Sequence, residues 1–89
     1  MTETTTDRPD KTVGLEINPV TDGYIIYQAD RDRVHYLNQT AAIVFELCNG
    51  HNAIDDLARM VQQAWQLTSP PTEDVMECLD ALRQEGLIR

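Results

Sequence analysis

Val13, Leu15 and Ile17 alternate with Gly14 and Glu16, the period-two pattern of a half-buried strand. Asn18-Pro19 should stop that strand, and Thr21-Asp22-Gly23 has turn chemistry. Tyr24-Ile25-Ile26-Tyr27 is β-branched or aromatic throughout, which suits a central strand. Asp30-Arg31-Asp32-Arg33 then reads as a polar hairpin loop, and Val34-His35-Tyr36-Leu37 as another short strand. A sheet of two or three such strands needs a further layer to be stable. From Asn38 the period changes. Asn38 and Thr40 are both candidate N-caps for a helix over Ala41–Cys48 that is apolar nearly all round and therefore central. Asn49-Gly50 should end it, since glycine accepts the left-handed conformation common after a helix.

Asn52 is placed to cap a second helix, with Asp55 and Asp56 in its first turn, favourable at the positive end of the dipole. Ile54, Leu57, Ala58, Val61 and Trp65 form its apolar stripe. Leu67-Thr68-Ser69-Pro70-Pro71 breaks the chain. A third helix opens at Thr72-Glu73-Asp74, carries Val75, Cys78, Leu79 and Leu82 on one face, and ends at Gly86, with Leu87-Ile88 folding back on the core. The last two helices have the order of a helix-turn-helix pair. The predicted class is α+β: a small N-terminal antiparallel sheet of two or three strands followed by three helices, in the shape of a winged helix. Residues 1–12 lack apolar periodicity and are predicted to be a disordered tail, with the folded domain spanning 13–89.

Length leaves room for one small domain: 89 residues, of which 42% are hydrophobic. A formal charge of −8 opposes approach to phosphate backbones and anionic membranes. No apolar run is long enough to span a bilayer and no signal peptide is visible, so the expected location is cytoplasmic. In that compartment Cys48 and Cys78 read as reduced thiols buried in helices, not as a disulfide.

The chain offers little for catalysis. Cys48, His51 and Cys78 lack the ligand spacing of a zinc site, and His35 lies mid-strand. Nothing marks an oxyanion hole or a nucleophile–base pair. Asp55-Asp56 and Glu73-Asp74 sit in helix first turns, where the dipole explains them. No metal, no cofactor and no catalytic residue are expected. A DNA-reading helix should carry cations, yet Glu73–Glu85 holds five acids and one base, Arg83. Shape alone supports a DNA-binding regulator.

Tyr36-Leu37-Asn38-Gln39-Thr40-Ala41-Ala42 resembles the YLN-x-TA segment of the pyrroloquinoline-quinone biosynthesis protein D family, small peptide chaperones also called precursor-peptide recognition elements. The resemblance continues through Phe45-Glu46-Leu47-Cys48-Asn49-Gly50 and Ile54-Asp55-Asp56-Leu57-Ala58, and closes with Asp74-Val75, Leu79, Leu82 and Gly86-Leu87-Ile88. Cys48 and Asn49 depart from the commoner Leu and Asp. The resemblance implies an α+β winged helix-turn-helix, a small N-terminal antiparallel three-stranded sheet followed by three helices, that binds the leader segment of a ribosomally made precursor peptide. It presents the rest to a modifying enzyme, often of the radical S-adenosylmethionine type. The leader would add as a strand beside Val34, His35, Tyr36 and Leu37 and lie against the helix bearing Asp74, Val75, Cys78 and Leu82.

The residues themselves leave alternatives open. Neighbours on a strand point oppositely, so one of Tyr36 and Leu37 should face the core. Core packing also accounts for Val75, Cys78, Leu79 and Leu82, and a first-turn helix role accounts for Asp74. The acids of the third helix call for Lys or Arg in a bound leader. A proline at His35 would weaken binding if the His35 N–H faces the peptide. A structural subunit that holds an enzyme complex together is the competing reading.

Overall fold

The computed structural model describes residues 8–89. Three strands, β1 (Leu15–Val20), β2 (Gly23–Gln28) and β3 (Arg33–Asn38), precede three helices, α1 (Gln39–Leu47), α2 (Ile54–Trp65) and α3 (Thr72–Gln84). The sheet is antiparallel in the order β1-β2-β3, and the fold is α+β. β1 runs through Pro19 to Val20, two residues past the expected stop. It is an edge strand, where a missing N–H is tolerated. A single 3-10 turn over Ala29–Arg31 carries the chain from β2 to β3.

The pleat sets what β3 offers to each side. Leu37 is buried, whereas Val34 and Tyr36 are 67% and 56% exposed. Alternation therefore sends Leu37 and His35 toward the helices and Val34 and Tyr36 to the outer face. At the other end of the β2–β3 pair, a Cβ on Gly23 would stand 1.8 Å from the Leu37 carbonyl oxygen. Only glycine permits that approach.

Asn38 leaves the strand and caps α1, its Oδ1 accepting from the Ala41 N–H at 2.9 Å. α1 is the central helix, with Ala42, Val44 and Phe45 buried. Phe45 is completely enclosed beside Ile26, Leu57, Leu79 and Leu87. Its ring meets Tyr24 edge-on, centroids 6.4 Å apart. Asn52 does not cap α2. Its side-chain amide donates to the Leu47 carbonyl at the end of α1, and Ala53 occupies the N-cap position. Asp56 Oδ2 accepts from the Ala53 N–H at 3.0 Å, so one acid of this first turn, not Asn52, reaches back to the N-cap. Gly86, at φ +76°, ends α3 and turns Leu87 and Ile88 into the core as expected.

The amino-terminal segment corrects the expected boundary. Residues 1–7 of the predicted tail lie outside the described residues, but Pro9–Thr12 are docked. Pro9 is buried, and its carbonyl accepts from the Gly50 N–H at 2.9 Å. Asp10 and Lys11 bridge to Asn49 and Ile88. Lys11 Nζ donates to the Glu46 and Cys48 carbonyls at 2.9 and 3.2 Å, a cation on the negative end of α1. Apolar periodicity, which the segment lacks, is the signal that predicts order from sequence. What holds the segment is main-chain pairing and a helix-end cation, neither of which has a period.

Candidate functional site

Beyond β3 no further strand pairs among the described residues. Between this free edge and α3 lies a groove of about 420 Å³. Its strand side is Arg33, Val34, His35, Tyr36 and Leu37, and its helix side is Cys78, Ala81, Leu82 and Glu85, with Ala41 and Leu87 completing the lining. The helix residues follow i, i+3, i+4, i+7, a single stripe of α3. Six of the expected site residues thus come together: Val34, His35, Tyr36, Leu37, Cys78 and Leu82. Leu82 is almost fully buried and forms part of the floor.

Asp74 and Val75 lie elsewhere. They line a second pocket of about 230 Å³ near the start of α3, with residues of α1, α2 and the α2–α3 linker. Asp74 continues the Cys78 stripe one turn toward the helix N-terminus, and Val75 is buried. Glu85, Ala81 and Ala41 belong to the groove and were not singled out in the sequence. Carrying the stripe on from Leu82 by three residues, to i+7 from Cys78, reaches Glu85. The alanines carried no signal, because small residues matter here only by leaving space.

Which backbone groups face the groove follows from the register. Val20 and Gly23 oppose each other across a two-residue turn, which makes them a hydrogen-bonded pair. Pairs alternate along antiparallel strands, so Gly23, Ile25 and Tyr27 bond toward β1, and Tyr24, Ile26 and Gln28 bond toward β3. Their partners in β3 are Leu37, His35 and Arg33. The closeness of the Leu37 carbonyl to Gly23 gives the same parity. His35 N–H therefore points into the sheet. The outward N–H and C=O groups are those of Val34 and Tyr36, so the proline test moves from His35 to Tyr36.

The His35 ring fixes one end of the groove. Its side chain is 10% exposed, with Nδ1 lying 3.6 Å from Glu85 Oε1. Nε2 stands 3.0 Å from Oε1 of the buried Gln28, whose amide reaches back to the Gly86 carbonyl at 3.4 Å. Arg33 Nη2 lies 3.7 Å from the same Glu85 oxygen. This polar chain ties the end of α3 to β2 and β3. The other acids of the helix, Glu73, Asp74, Glu77 and Asp80, remain exposed.

The thiols are free. Cys48 is fully buried and donates to the Val44 carbonyl at 3.2 Å; its enclosure pushes its pKa up to about 11. Burial also raises that of Cys78, which borders the groove. Raised values leave both as neutral thiols at neutral pH, the opposite of an activated nucleophile. No group of acid, histidine and cysteine side chains among the described residues is arranged to hold a metal ion. No helix among them is long and apolar enough to cross a membrane.

An α+β domain with an open sheet edge running beside a helix has the form of a strand-accepting module. Residues 23–88 match the family described as Coenzyme PQQ synthesis protein D (PqqD), and the chain belongs to that family. The family is known for binding precursor peptides in the biosynthesis of modified peptides, as a non-catalytic accessory domain. No curated protein and no solved structure matches the chain.

Proposed function

We propose that this protein is a non-catalytic peptide chaperone that takes the leader segment of a ribosomally made precursor as an added strand on β3 and presents it to a modifying enzyme, of the radical S-adenosylmethionine type. The observation that carries the reading is the open β3 edge bordering an α3 groove. Strand addition needs free main-chain donors and acceptors on one side and side-chain pockets on the other. Val34 and Tyr36 supply the former. Cys78, Ala81 and Leu82 form a shallow apolar wall for alternate ligand side chains. The exposed acids of α3 favour a leader with Lys or Arg beside its apolar anchors. Those charges raise the association rate and set register more than they add affinity. The same acids oppose DNA backbone contact.

The test is a titration with leader segments of precursor peptides, comparing Tyr36→Ala with Tyr36→Pro on any leader the unaltered chain binds. Both lose the phenol ring, but only proline loses the outward N–H. One hydrogen bond is worth about 1 kcal/mol net, so Tyr36→Pro should bind about fivefold more weakly than Tyr36→Ala. Equal affinities, with Val34–Leu37 resonances unmoved by peptide, would refute strand addition.

A further inference from the structure

The pocket at the start of α3 is not part of the strand groove, yet it lies in line with it. Arg33 meets Glu85 at one end of the groove, at 3.7 Å. At the other end the chain passes from β3 into α1, and Thr40 faces the second pocket together with Asp74. Residue numbers thus rise along β3 and α1 as they fall along α3, so the groove and the pocket follow one another on the same side of the helix. A strand added beside β3 and continuing past Leu37 would run toward the pocket lined by Thr40 and Asp74.

That pocket is built for an apolar group next to a cation. Val44 of α1, Val61 and Trp65 of α2, Leu67 of the linker and Val75 of α3 make its walls, and Pro71 closes it. Among the described residues its only charged side chain is Asp74, which is exposed and pairs with none of them. Trp65 and Leu67 leave 39% and 42% of their surface exposed, more apolar area than a helix end needs to show. Leu67 is held there by a strained turn. Gln66 adopts φ +55°, a left-handed conformation that side chains other than glycine rarely take, and the Leu67 N–H returns to the Gln62 carbonyl at 2.9 Å.

We infer that this pocket is a second subsite, taking one large apolar side chain of the same peptide, with an adjacent Lys or Arg set against Asp74. The inference rests on the strand-addition reading and adds a specificity element to it. Geometry gives the spacing. Asp74 lies eight residues from Leu82, roughly 12 Å along the helix axis at about 1.5 Å per residue. An extended peptide covers that in about three to four residues at about 3.3 Å each. The apolar–basic pair therefore falls that far beyond the ligand residue seated over Leu82.

The probe is an mRNA-displayed library of random 20-residue peptides, selected on the full chain. Selected peptides should share a strand-forming segment and, at the stated spacing, an apolar residue beside Lys or Arg. Their binding should shift the fluorescence of Trp65, the only tryptophan in the chain. Selection on Asp74→Lys should replace the basic residue with Asp or Glu and leave the strand segment alone. Narrowing the mouth with Thr40→Phe, at an exposed position, should weaken the selected peptides roughly tenfold or more, the value of losing one buried apolar side chain, and spare versions cut back to the strand segment. Peptides that shift the Val34–Leu37 resonances without the apolar–basic pair and without a Trp65 response would overturn the subsite and leave strand addition standing. Peptides that leave Val34–Leu37 unmoved would overturn the reading beneath it. A Trp65 response that tracks self-association of the protein, without peptide, would assign the pocket to a second copy and overturn the inference.

Discussion

Cutting the chain before Val13 should destabilise it, although the removed segment has almost no hydrophobic content. The comparison is between a chain that begins at Arg8 and one that begins at Val13. The shorter chain loses three short backbone bonds, Gly50 N–H to Pro9, Arg89 N–H to Asp10 and Thr12 N–H to Leu87, at 2.9, 2.8 and 3.0 Å. It also loses the Thr12 hydroxyl bond to the Gly86 carbonyl at 2.7 Å. At about 1 kcal/mol net for each bond these sum to about 4 kcal/mol. Enclosing Pro9, and setting the Lys11 ammonium 5.6 Å from the Phe45 ring centroid, adds about 2 kcal/mol. Against this, ordering Pro9–Thr12 costs about 4 kcal/mol, at the low end of the per-residue range because proline is already restricted, while the ordering of exposed Arg8 is offset by its own bond to the His51 carbonyl at 2.6 Å. The net is about 2 kcal/mol, equivalent to a fall in Tm of about 8–16 °C in a domain of this size. Calorimetry or thermal circular dichroism on the two chains reads it directly. Equal midpoints would refute the reasoning and return the boundary to Val13.

Gly23→Ala should cost several kcal/mol, more than the usual glycine substitution, because its Cβ would stand 1.8 Å from the backbone oxygen of Leu37 and β2 and β3 would have to part; chemical denaturation with a midpoint unchanged within error would count against the strand register. Cys48 binds its proton more tightly folded than unfolded, so its contribution to stability is complete below about pH 9 and lost as pH rises toward about 11. The loss reaches about 2–3 kcal/mol, and Cys48→Ala should flatten this alkaline slope in urea denaturation measured between those values; an unaltered slope would assign it to other groups.

The elements were legible in the sequence because each carries its own period or cap. Asn38 shows why local chemistry sufficed at α1: it is the last residue of the strand, and its side chain accepts the free N–H of Ala41 in the first helical turn. The α3 terminus was equally readable, since Gly86 adopts the left-handed conformation that its identity predicts. Asn52 shows where the same logic failed. Its position before a helix with an acidic first turn fits a cap, but the helix starts one residue later, behind Ala53, and the turn after α1 sets the Asn52 amide against the Leu47 carbonyl. Pro19 failed for a related reason. Whether proline stops a strand depends on which side of that strand faces a neighbour, and sheet order is not a local property.

The candidate site divides along the same line. Period shows which residues of Val34–Leu37 and of the Cys78–Leu82 stripe share a face, but only the family resemblance set the two as opposing walls, where the fold places them. Which main-chain groups of β3 point outward could not be assigned that way, since parity is inherited through two hairpins from the Val20–Gly23 pair. A shift of one residue in either turn would have exchanged His35 for Tyr36. Asp74 and Val75 were joined to the groove because they begin the same helix. The helix is about 20 Å long at about 1.5 Å per residue, and the strand beside it is six residues, so one element can border two sites in succession. The consequence for specificity is that a ligand is read in two registers. A period-two strand meets the stripe at Cys78 and Leu82, and beyond it a single anchor meets Asp74, so a peptide matching only one of the two should bind more weakly than their combination.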